Sequence, residues 1–222
     1  INRRQRQMCI RDRQKACYKL MNLGVIDYGA SNIFSVARAL KSLGANVSIV
    51  DDPIKFKGID KLVFPGQGSM GSCVRKLKEK EMMNPLLEAI KSKPFLGICL
   101  GLQILFESSE ESEEQGLGLI DGCITRITDL QNENLKIPHM GWNNIKFKKD
   151  HELFEGIADK QFFYFVHSFI ASQSGTSITT TNYGEEFVSS LALENIFATQ
   201  FHPEKSGKLG LKFLNNFINW KV

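Results

Sequence analysis

One cysteine, Cys99, lies between two glycines in the sequence GICLG at residues 97–101. The apolar run Phe95–Ile98 before it predicts a short buried strand, and the apolar segment Leu100–Phe106 after it predicts the start of a helix. This is the layout of the G-x-S-x-G nucleophile elbow, with cysteine in place of serine. The thiol would lie at a helix N-terminus, where unpaired N–H groups and the helix dipole favour a thiolate. Free cysteines are also common in protein cores, so the elbow alone leaves a purely structural Cys99 open.

A second group of candidate residues lies near the C-terminus, where His202 and Glu204 flank a proline in the sequence TQFHPEK. A thiolate that takes part in acyl transfer needs a base and a group that orients the base. His202 follows the last predicted strand, and the ends of parallel strands meet at one edge of a sheet. Glu204 can then accept the second imidazole N–H and fix the tautomer. A surface histidine and glutamate in a turn is the alternative, but together with the elbow the pattern favours a Cys99–His202–Glu204 triad.

Acyl transfer also requires N–H donors for the oxyanion, and two sources are available. One is the backbone N–H of Leu100, directly after the cysteine. The other is Gln67 in the loop Pro65–Gly68, where glycines allow a main-chain N–H to point into the site. The loop can also be a plain turn after a strand. Gln103, one helical turn beyond the cysteine, either meets a substrate at the bottom of a pocket or faces solvent.

The composition limits the classes of function. Of 222 residues, 42% are hydrophobic and 23% charged, as in ordinary soluble globular proteins, and no apolar run approaches the roughly 20 residues that cross a membrane. The five cysteines are scattered without a C-x-x-C pair, so neither a zinc site nor a disulfide framework is indicated and a reducing, cytoplasmic setting is expected. No basic stripe with interleaved aromatic residues indicates nucleic-acid binding.

Residues 1–20 differ from the remainder of the chain. They carry seven of the basic residues and one acid, and without them the net charge changes from +4 to −2. An arginine-rich leader of this kind is open to interpretation as a targeting peptide or a nucleic-acid arm. We prefer a third interpretation, in which the segment resembles translated sequencing-adapter read-through and the natural start is Met21. We therefore expect residues 1–20 to be a non-native or disordered leader and residues 21–222 to be one domain.

Strands and helices alternate from Leu23 to Phe106, which predicts a parallel sheet covered by helices on both faces. The acidic segment 107–115 is expected to be a solvated helix end and loop. Several later segments predict strands that join the same sheet as hairpins and make it mixed: 117–127, 143–147, 162–166, 177–181, 187–193 and 196–199. Ser206 is expected to cap a final helix. The predicted fold is therefore α/β, with a mixed, mostly parallel, flavodoxin-like sheet between helices.

Taken together, GICLG and TQFHPEK are the signature of class I, triad-type glutamine amidotransferases. Further segments make the chain similar to the glutaminase subunits of imidazole glycerol phosphate synthases, and this resemblance extends from about Met21 to Val222. They are DYGASN at 27–32, PGQGSMGSC at 65–73, GLGLIDG at 116–122, IPHMGWN at 137–143, FYFVHSF at 163–169 and ATQFHPEKSGKLG at 198–210. Gln67 stands where relatives often carry valine, and the turn at 29–32 lacks a glycine that relatives often have.

The resemblance implies a reaction and a role for each member of the triad. Cys99 would attack the side-chain amide of glutamine, His202 would transfer the proton, and Glu204 would orient the imidazole. The glutamyl thioester would then be hydrolysed by water, giving glutamate and ammonia. No cofactor and no metal ion take part in such a reaction.

The resemblance also implies contacts to glutamine and to a partner. Gly66, Gly68 and Gln103 would contact the glutamine, and the backbone around Ser168 and Phe169 would hold its α-amino and carboxylate end. Residues 139–142 would lie toward the partner, so that His139 and His167 are structural or interfacial rather than catalytic.

The partner implied by the family is a TIM-barrel cyclase, bound as a heterodimer. Ammonia released into water is protonated and lost as a nucleophile, whereas a channel delivers it to the cyclase, which makes imidazole glycerol phosphate and aminoimidazole carboxamide ribotide for histidine biosynthesis. The 65–68 loop would reorient to complete the oxyanion hole and so couple the two sites. Three alternatives remain open: a glutaminase for a surface-sugar pathway, a non-catalytic partner-binding subunit, and a peptidase or γ-glutamyl hydrolase.

Overall fold

The computed structural model describes residues 21–29, 32–128, 134–172 and 175–222, so the predicted leader and part of the turn at 29–32 lie outside the described residues. The strands are β1 (Asn22–Ile26), β2 (Asn46–Val50), β3 (Lys61–Gly66), β4 (Phe95–Cys99), β5 (Phe106–Ser109), β6 (Ile120–Arg126), β7 (His139–Asn144), β8 (Lys146–Phe147), β9 (Phe162–His167), β10 (Phe169–Ala171), β11 (Ser177–Tyr183), β12 (Glu185–Leu193) and β13 (Ile196–Thr199). The helices are α1 (Ile33–Ser42), α2 (Met70–Glu79), α3 (Met83–Ile90), α4 (Leu100–Gln103) and α5 (Gly207–Asn219).

An eight-stranded sheet in the order β2-β1-β3-β4-β13-β12-β11-β8 forms the centre of the molecule. The first five strands in this order are parallel to one another, and each of the other three is antiparallel to the strand before it in the sheet. Strand β13 pairs directly with β4, with Thr199 opposite Ile98. The segment after β13 therefore begins beside Cys99, although about a hundred residues separate them in sequence.

Both faces of the sheet are covered by apolar side chains. Neighbouring residues of a strand point to opposite faces, so Phe95 of β4 packs into one cluster with Phe64, while Leu96 packs into a second cluster with Phe197 and Phe213. All five residues of β4 are buried, as expected for a central parallel strand. The predicted mixed α/β fold is confirmed.

The prediction that the later strands all extend this sheet is wrong in part. Strands β8, β11, β12 and β13 join the main sheet, whereas β10, β6 and β5 form a separate three-stranded sheet, and β7 pairs with β9 as a two-stranded ribbon. The alternation of side chains predicts that a segment is a strand, but it does not determine the partner strand.

The helix predicted over Leu100–Phe106 is also shorter than expected. Helix α4 ends at Gln103 and the chain is extended again from Phe106. The carbonyl groups of Ile104 and Leu105 accept hydrogen bonds from the backbone of residues 117–120, so they are not available to continue a helix. Among the described residues, no helix is long and apolar enough to cross a membrane.

Candidate active site

Cys99 ends β4 and has the backbone conformation of a strained turn, with φ 57° and ψ −102°. A non-glycine residue with positive φ costs on the order of 1–3 kcal/mol and is often found at functional sites. The two flanking glycines make the turn possible. A Cβ on Gly97 would collide with the carbonyl group of Gly101, and a Cβ on Gly101 would collide with the carbonyl oxygen of Phe64. The strand can therefore reverse directly into α4 only with glycine at both positions.

The predicted pair after β13 is in hydrogen-bonding contact. His202 Nδ1 lies 2.8 Å from Glu204 Oε1, and both side chains are buried. A 3₁₀ turn over Pro203–Lys205 holds the two residues in this arrangement. Because the carboxylate occupies Nδ1, the other ring nitrogen, Nε2, is buried without a hydrogen-bond partner within the described part of the chain.

The environment of His202, which includes Cys99 and Glu204, changes the pKa of its imidazole. Burial by itself would lower the pKa of His202, but the charge of the nearby Cys99, together with Glu204, outweighs it and raises the pKa to about 10. Burial acts to raise the pKa of Glu204, yet the hydrogen bond and charge of His202 hold it below its usual value. The structure therefore brings Cys99, His202 and Glu204 together, and the arrangement favours a protonated imidazole between an acid and a sulfur.

Two residues that sequence reasoning did not assign to the site hold this pair in place. Asn32 Nδ2 donates to Glu204 Oε1 at 2.6 Å. The hydroxyl of Ser206 donates to the His202 carbonyl at 2.6 Å and accepts from the backbone N–H of Tyr164 at 3.0 Å. Ser206 does stand at the start of α5, but its hydroxyl forms no capping bond with the helix, so the predicted capping role is wrong.

A cavity of about 400 Å³ opens over the sulfur. Its lining includes the sequence-predicted residues Gln67, Gly68, Gln103, Ser168 and Phe169, and also Ser69, Cys99, Glu111, Pro138, Val166 and His167. Two predicted site residues, Gly66 and Leu100, are not among the lining residues: Gly66 is opposite Cys99 in the sheet register, and Leu100 is the first residue of α4. The volume is sufficient for an amino acid the size of glutamine.

Gln103 is buried, so the alternative that it faces solvent is wrong. Its Nε2 donates to the Phe169 carbonyl at 3.0 Å and to Gln200 Oε1 at 3.1 Å. Gln103 thus ties the floor of the cavity to β10 and to the segment after β13. Gln200 is part of the quoted sequence TQFHPEK, but nothing in its local pattern distinguishes it from a surface glutamine.

Glu111 is the clearest site residue that the sequence pattern missed. It belongs to the acidic segment whose composition predicts a solvated helix end and loop. In the structure, Glu111 lines the cavity and its Oε2 accepts from the Met70 backbone N–H at 3.2 Å, at the N-terminus of α2. A carboxylate at the mouth of the cavity suits a ligand with a positive charge. Among the described residues, no group of three or more histidine, cysteine or acidic side chains is placed to hold a metal ion.

The family profile of glutamine amidotransferase class-I matches residues 24–220. The chain belongs to this family. It is 46% identical over 204 residues to imidazole glycerol phosphate synthase subunit HisH of Sulfurimonas denitrificans, covering 90% of this chain and 98% of that protein. It is 43% identical over 210 residues to the HisH subunit of Aromatoleum aromaticum, covering 90% and 99%. This class-I amidotransferase is thus a member of the HisH group, which confirms the resemblance indicated by its motifs and the expectation of an enzyme.

Solved structures share the fold at lower identity. PurLQS from Thermotoga maritima superposes with a TM-score of 0.68 at 19% identity, covering 90% of this chain and 98% of that chain. A glutamine amidotransferase, also from Thermotoga maritima, has a TM-score of 0.56 at 17% identity, with 86% and 79% covered. These similarities support the fold.

Proposed function

We propose that this amidotransferase hydrolyses glutamine with Cys99 as nucleophile, His202 as proton carrier and Glu204 as the orienting acid. The sulfur forms a bond to the side-chain carbonyl carbon of glutamine, and its proton goes to His202 Nε2. The C–N bond then breaks as His202 returns the proton to the leaving amine, which departs as ammonia. Water attacks the glutamyl thioester and gives a proton to His202. The C–S bond then breaks, glutamate is released, and His202 returns the proton to the departing sulfur.

One observation carries this proposal: His202 has Nδ1 bound to Glu204 and Nε2 left unpartnered on the side that Cys99 influences. This is the arrangement of an imidazole that receives the sulfur proton on Nε2 while the carboxylate holds Nδ1–H. A non-catalytic binding subunit would have no need for a strained cysteine beside this buried pair, because a positive φ at a residue other than glycine costs on the order of 1–3 kcal/mol.

The oxyanion of the tetrahedral intermediate would lie above the start of α4. The N–H groups in the first turn of a helix have no partner within the helix, so the N–H of Leu100 is suited to stabilise this charge. Gln67 lines the same cavity and would supply the second donor from its backbone. Because the removal of one such donor commonly costs about 10²–10³ in rate, reorientation of the 65–68 loop can act as a switch.

The cavity lining supports a free α-amino acid as the substrate. The carboxylate of Glu111 would pair with the α-ammonium group of glutamine, and the backbone of Ser168 and Phe169 would bind the α-carboxylate end. Gly66, Gly68 and Gln103 would complete the contacts to the side chain. A γ-glutamyl peptide carries further residues beyond the scissile bond, and we expect it to be a poor substrate.

The ammonia would pass to a TIM-barrel cyclase bound as a heterodimer in the pathway of histidine biosynthesis. The name of the curated relatives, a subunit of imidazole glycerol phosphate synthase, supports such a partner. The exposed side chains of Met140 and Trp142 on β7, with exposed fractions of 62% and 55%, provide an apolar surface for it. Ammonia that stays between two subunits remains unprotonated and nucleophilic.

The test is glutaminase activity of the chain alone and with the cyclase subunit of the same organism, with and without its nucleotide ligand. We expect slow hydrolysis alone, a large increase in the complex, and no activity in Cys99→Ala, which should still bind the partner. Cys123→Ala, at an exposed free cysteine, is the control and should keep full activity. If Cys99→Ala retains full activity, or if a glutamine-mimicking electrophile leaves Cys99 unmodified, the proposal fails.

A further inference from the structure

A side chain outside the triad also reaches the sulfur. Gln200 Nε2 lies 3.5 Å from Cys99 Sγ, and Gln200 is completely buried. Since a sulfur atom is larger than an oxygen atom, this separation is normal for an N–H that donates to sulfur. Gln200, which directly follows β13, is fixed by its backbone as well, because its N–H donates to the Ser189 carbonyl at 2.9 Å.

The orientation of the Gln200 carboxamide follows from its neighbours. The Phe169 carbonyl can only accept, so the group of Gln103 that lies 3.0 Å from it must be the NH₂ group. The same NH₂ group lies 3.1 Å from the Gln200 side chain and must find an acceptor there, which is Oε1. The Gln200 NH₂ group therefore points to the sulfur, because the opposite orientation would place two donors against each other.

The sulfur consequently has different partners in its two protonation states. The Val166 carbonyl lies 3.8 Å from Sγ and can accept the proton of the neutral thiol. The Gln200 N–H can only donate, so it interacts most strongly with the negatively charged sulfur. An N–H buried next to a thiolate has no competing water, which strengthens the interaction further.

We propose that Gln200 is a further catalytic residue, whose carboxamide N–H donates to the Cys99 sulfur and stabilises the thiolate. This rests on the proposed function of Cys99 as the nucleophile. The thiolate forms when the sulfur proton moves to His202, and it forms again when the thioester is hydrolysed. No bond is made or broken at Gln200, and its orientation depends on Gln103 and the Phe169 carbonyl.

The experiment measures alkylation of Cys99 by iodoacetamide, site by site with mass spectrometry, in the wild type and in Gln200→Met. Methionine fills a similar volume without the donor. A hydrogen bond to a charged group changes an equilibrium constant by roughly ten- to a hundredfold. We therefore expect Cys99 of Gln200→Met to react at least tenfold more slowly than Cys99 of the wild type at pH 7. At pH 10, where thiols ionise without help, the difference should shrink to about twofold. Cys123 in the same molecule should react at an unchanged rate.

Two further variants make the result decisive. Thr199→Val removes a buried hydroxyl that bonds to the Phe201 carbonyl, one position before Gln200 in the chain, and it should leave Cys99 alkylation unchanged. Gln200→Glu keeps the shape and the acceptor for Gln103, but its carboxyl group repels the thiolate, so Cys99 should react more slowly still. This variant also decides the question if Gln200→Met fails to fold.

Equal alkylation rates at pH 7 in the wild type and in a folded Gln200 variant would overturn the proposal, as would a loss that is the same at both pH values. The readout does not need glutamine. A wild-type chain that does not hydrolyse glutamine even in complex with the cyclase subunit, but whose Cys99 alkylation still depends on Gln200, would therefore overturn the proposed function and leave the donor role intact.

Discussion

His139 Nδ1 lies 3.0 Å from His167 Nε2, and both rings are buried. The proton positions follow from the neighbouring groups. His167 Nδ1 lies 3.0 Å from the Phe169 carbonyl and must donate to it, so its Nε2 accepts from His139 Nδ1. His139 Nε2 in turn accepts from Asn143 Nδ2 at 3.3 Å. A further proton on either ring would set two donors against each other, so both rings remain neutral and neither is suited to be a general base.

The first prediction concerns acid stability. Burial lowers the pKa of His139 to about 4 and that of His167 to about 3, from an ordinary value of 6.5. Since the folded pKa lies below the unfolded one, the unfolded state binds more protons below pH 6.5, and stability is lost as pH falls from 6.5 toward 4. We expect the free energy of unfolding, measured in urea, to decrease by roughly 1–3 kcal/mol between pH 7 and pH 5.

The matched variant is His167→Gln, which removes one titrating ring and should show a shallower pH dependence. His202 acts in the opposite direction, because its pKa is raised and its contribution to stability grows as pH falls through 6.5; this offsets part of the loss equally in the wild type and in the variant. A wild-type protein that is equally stable at pH 7 and pH 5 would contradict the neutral assignment of the pair.

The second prediction concerns Asn32, which donates to the carboxylate that orients His202. In Asn32→Ala, Glu204 loses this donor and holds the imidazole less firmly. We expect kcat for glutamine hydrolysis to fall about tenfold with little change in KM, because Asn32 is not among the residues lining the cavity. Asn219→Ala, which removes a hydrogen bond within α5, is the control and should change neither constant.

Local sequence pattern predicts those features that depend on neighbouring residues. The glycines around Cys99 indicate a sharp turn, and the structure shows why, since either Cβ would meet a backbone carbonyl. His202 and Glu204 are two residues apart, so a single 3₁₀ turn sets their geometry. The alternation of strands and helices is likewise a local pattern, and it indicates the parallel sheet.

Features set by contacts between distant parts of the chain cannot be predicted in this way. Asn32 and Glu204 are 172 residues apart, and Gln200 and Cys99 are 101 residues apart. Glu111 lies in a segment whose composition resembles a solvated loop, and the pairing of β5 with β6 brings that segment to the cavity. The short length of α4 also results from a contact that local sequence does not predict, because the carbonyls after Gln103 accept hydrogen bonds from a loop.

The third prediction concerns the strain at the nucleophile. Alanine at position 99 keeps a Cβ in a conformation with φ 57°, whereas glycine does not. We therefore expect Cys99→Gly to be as stable as Cys99→Ala or up to about 2 kcal/mol more stable, after allowing for the greater freedom of glycine in the unfolded chain. At an ordinary strand position the glycine variant is less stable than the protein with alanine, and Ala198→Gly in β13 serves as the example of such a position. The measurement is denaturant unfolding of the three variants, and a Cys99→Gly protein that is clearly less stable than Cys99→Ala would argue against strain.

The fourth prediction tests the close approach at Gly101. In Gly101→Ala the new methyl group would overlap the Phe64 carbonyl, so β3 and α4 must separate. We expect a loss of stability of about 1–3 kcal/mol and a loss of glutaminase activity, since Cys99 moves with α4. Gly175→Ala is the matched control, because a Cβ there meets open space. Thermal unfolding of both variants checks the result, and equal melting temperatures would show that the overlap is relieved without cost.

The last prediction concerns the only lysine among the described residues that is buried, Lys61 in β3. Its Nζ donates to the carbonyls of Phe217 at 2.9 Å and Ile218 at 2.8 Å, and also to that of Trp220, so it satisfies the C-terminal end of α5. Burial lowers the pKa of Lys61 to about 8, but the three carbonyls favour the ammonium form.

In Lys61→Met the side chain is one atom shorter and unbranched as before, and the carbonyls lose their donor in a buried place. We expect the free energy of unfolding to fall by about 2–4 kcal/mol, because several buried acceptors are left unpaired. Lys91→Met breaks an ion pair with Glu88 at the surface and should cost less than about 0.5 kcal/mol. Urea unfolding at pH 7 measures both. If the two variants were equally stable, the carbonyls at the end of α5 would have to find water or other donors, and Lys61 would not hold the last helix to the sheet.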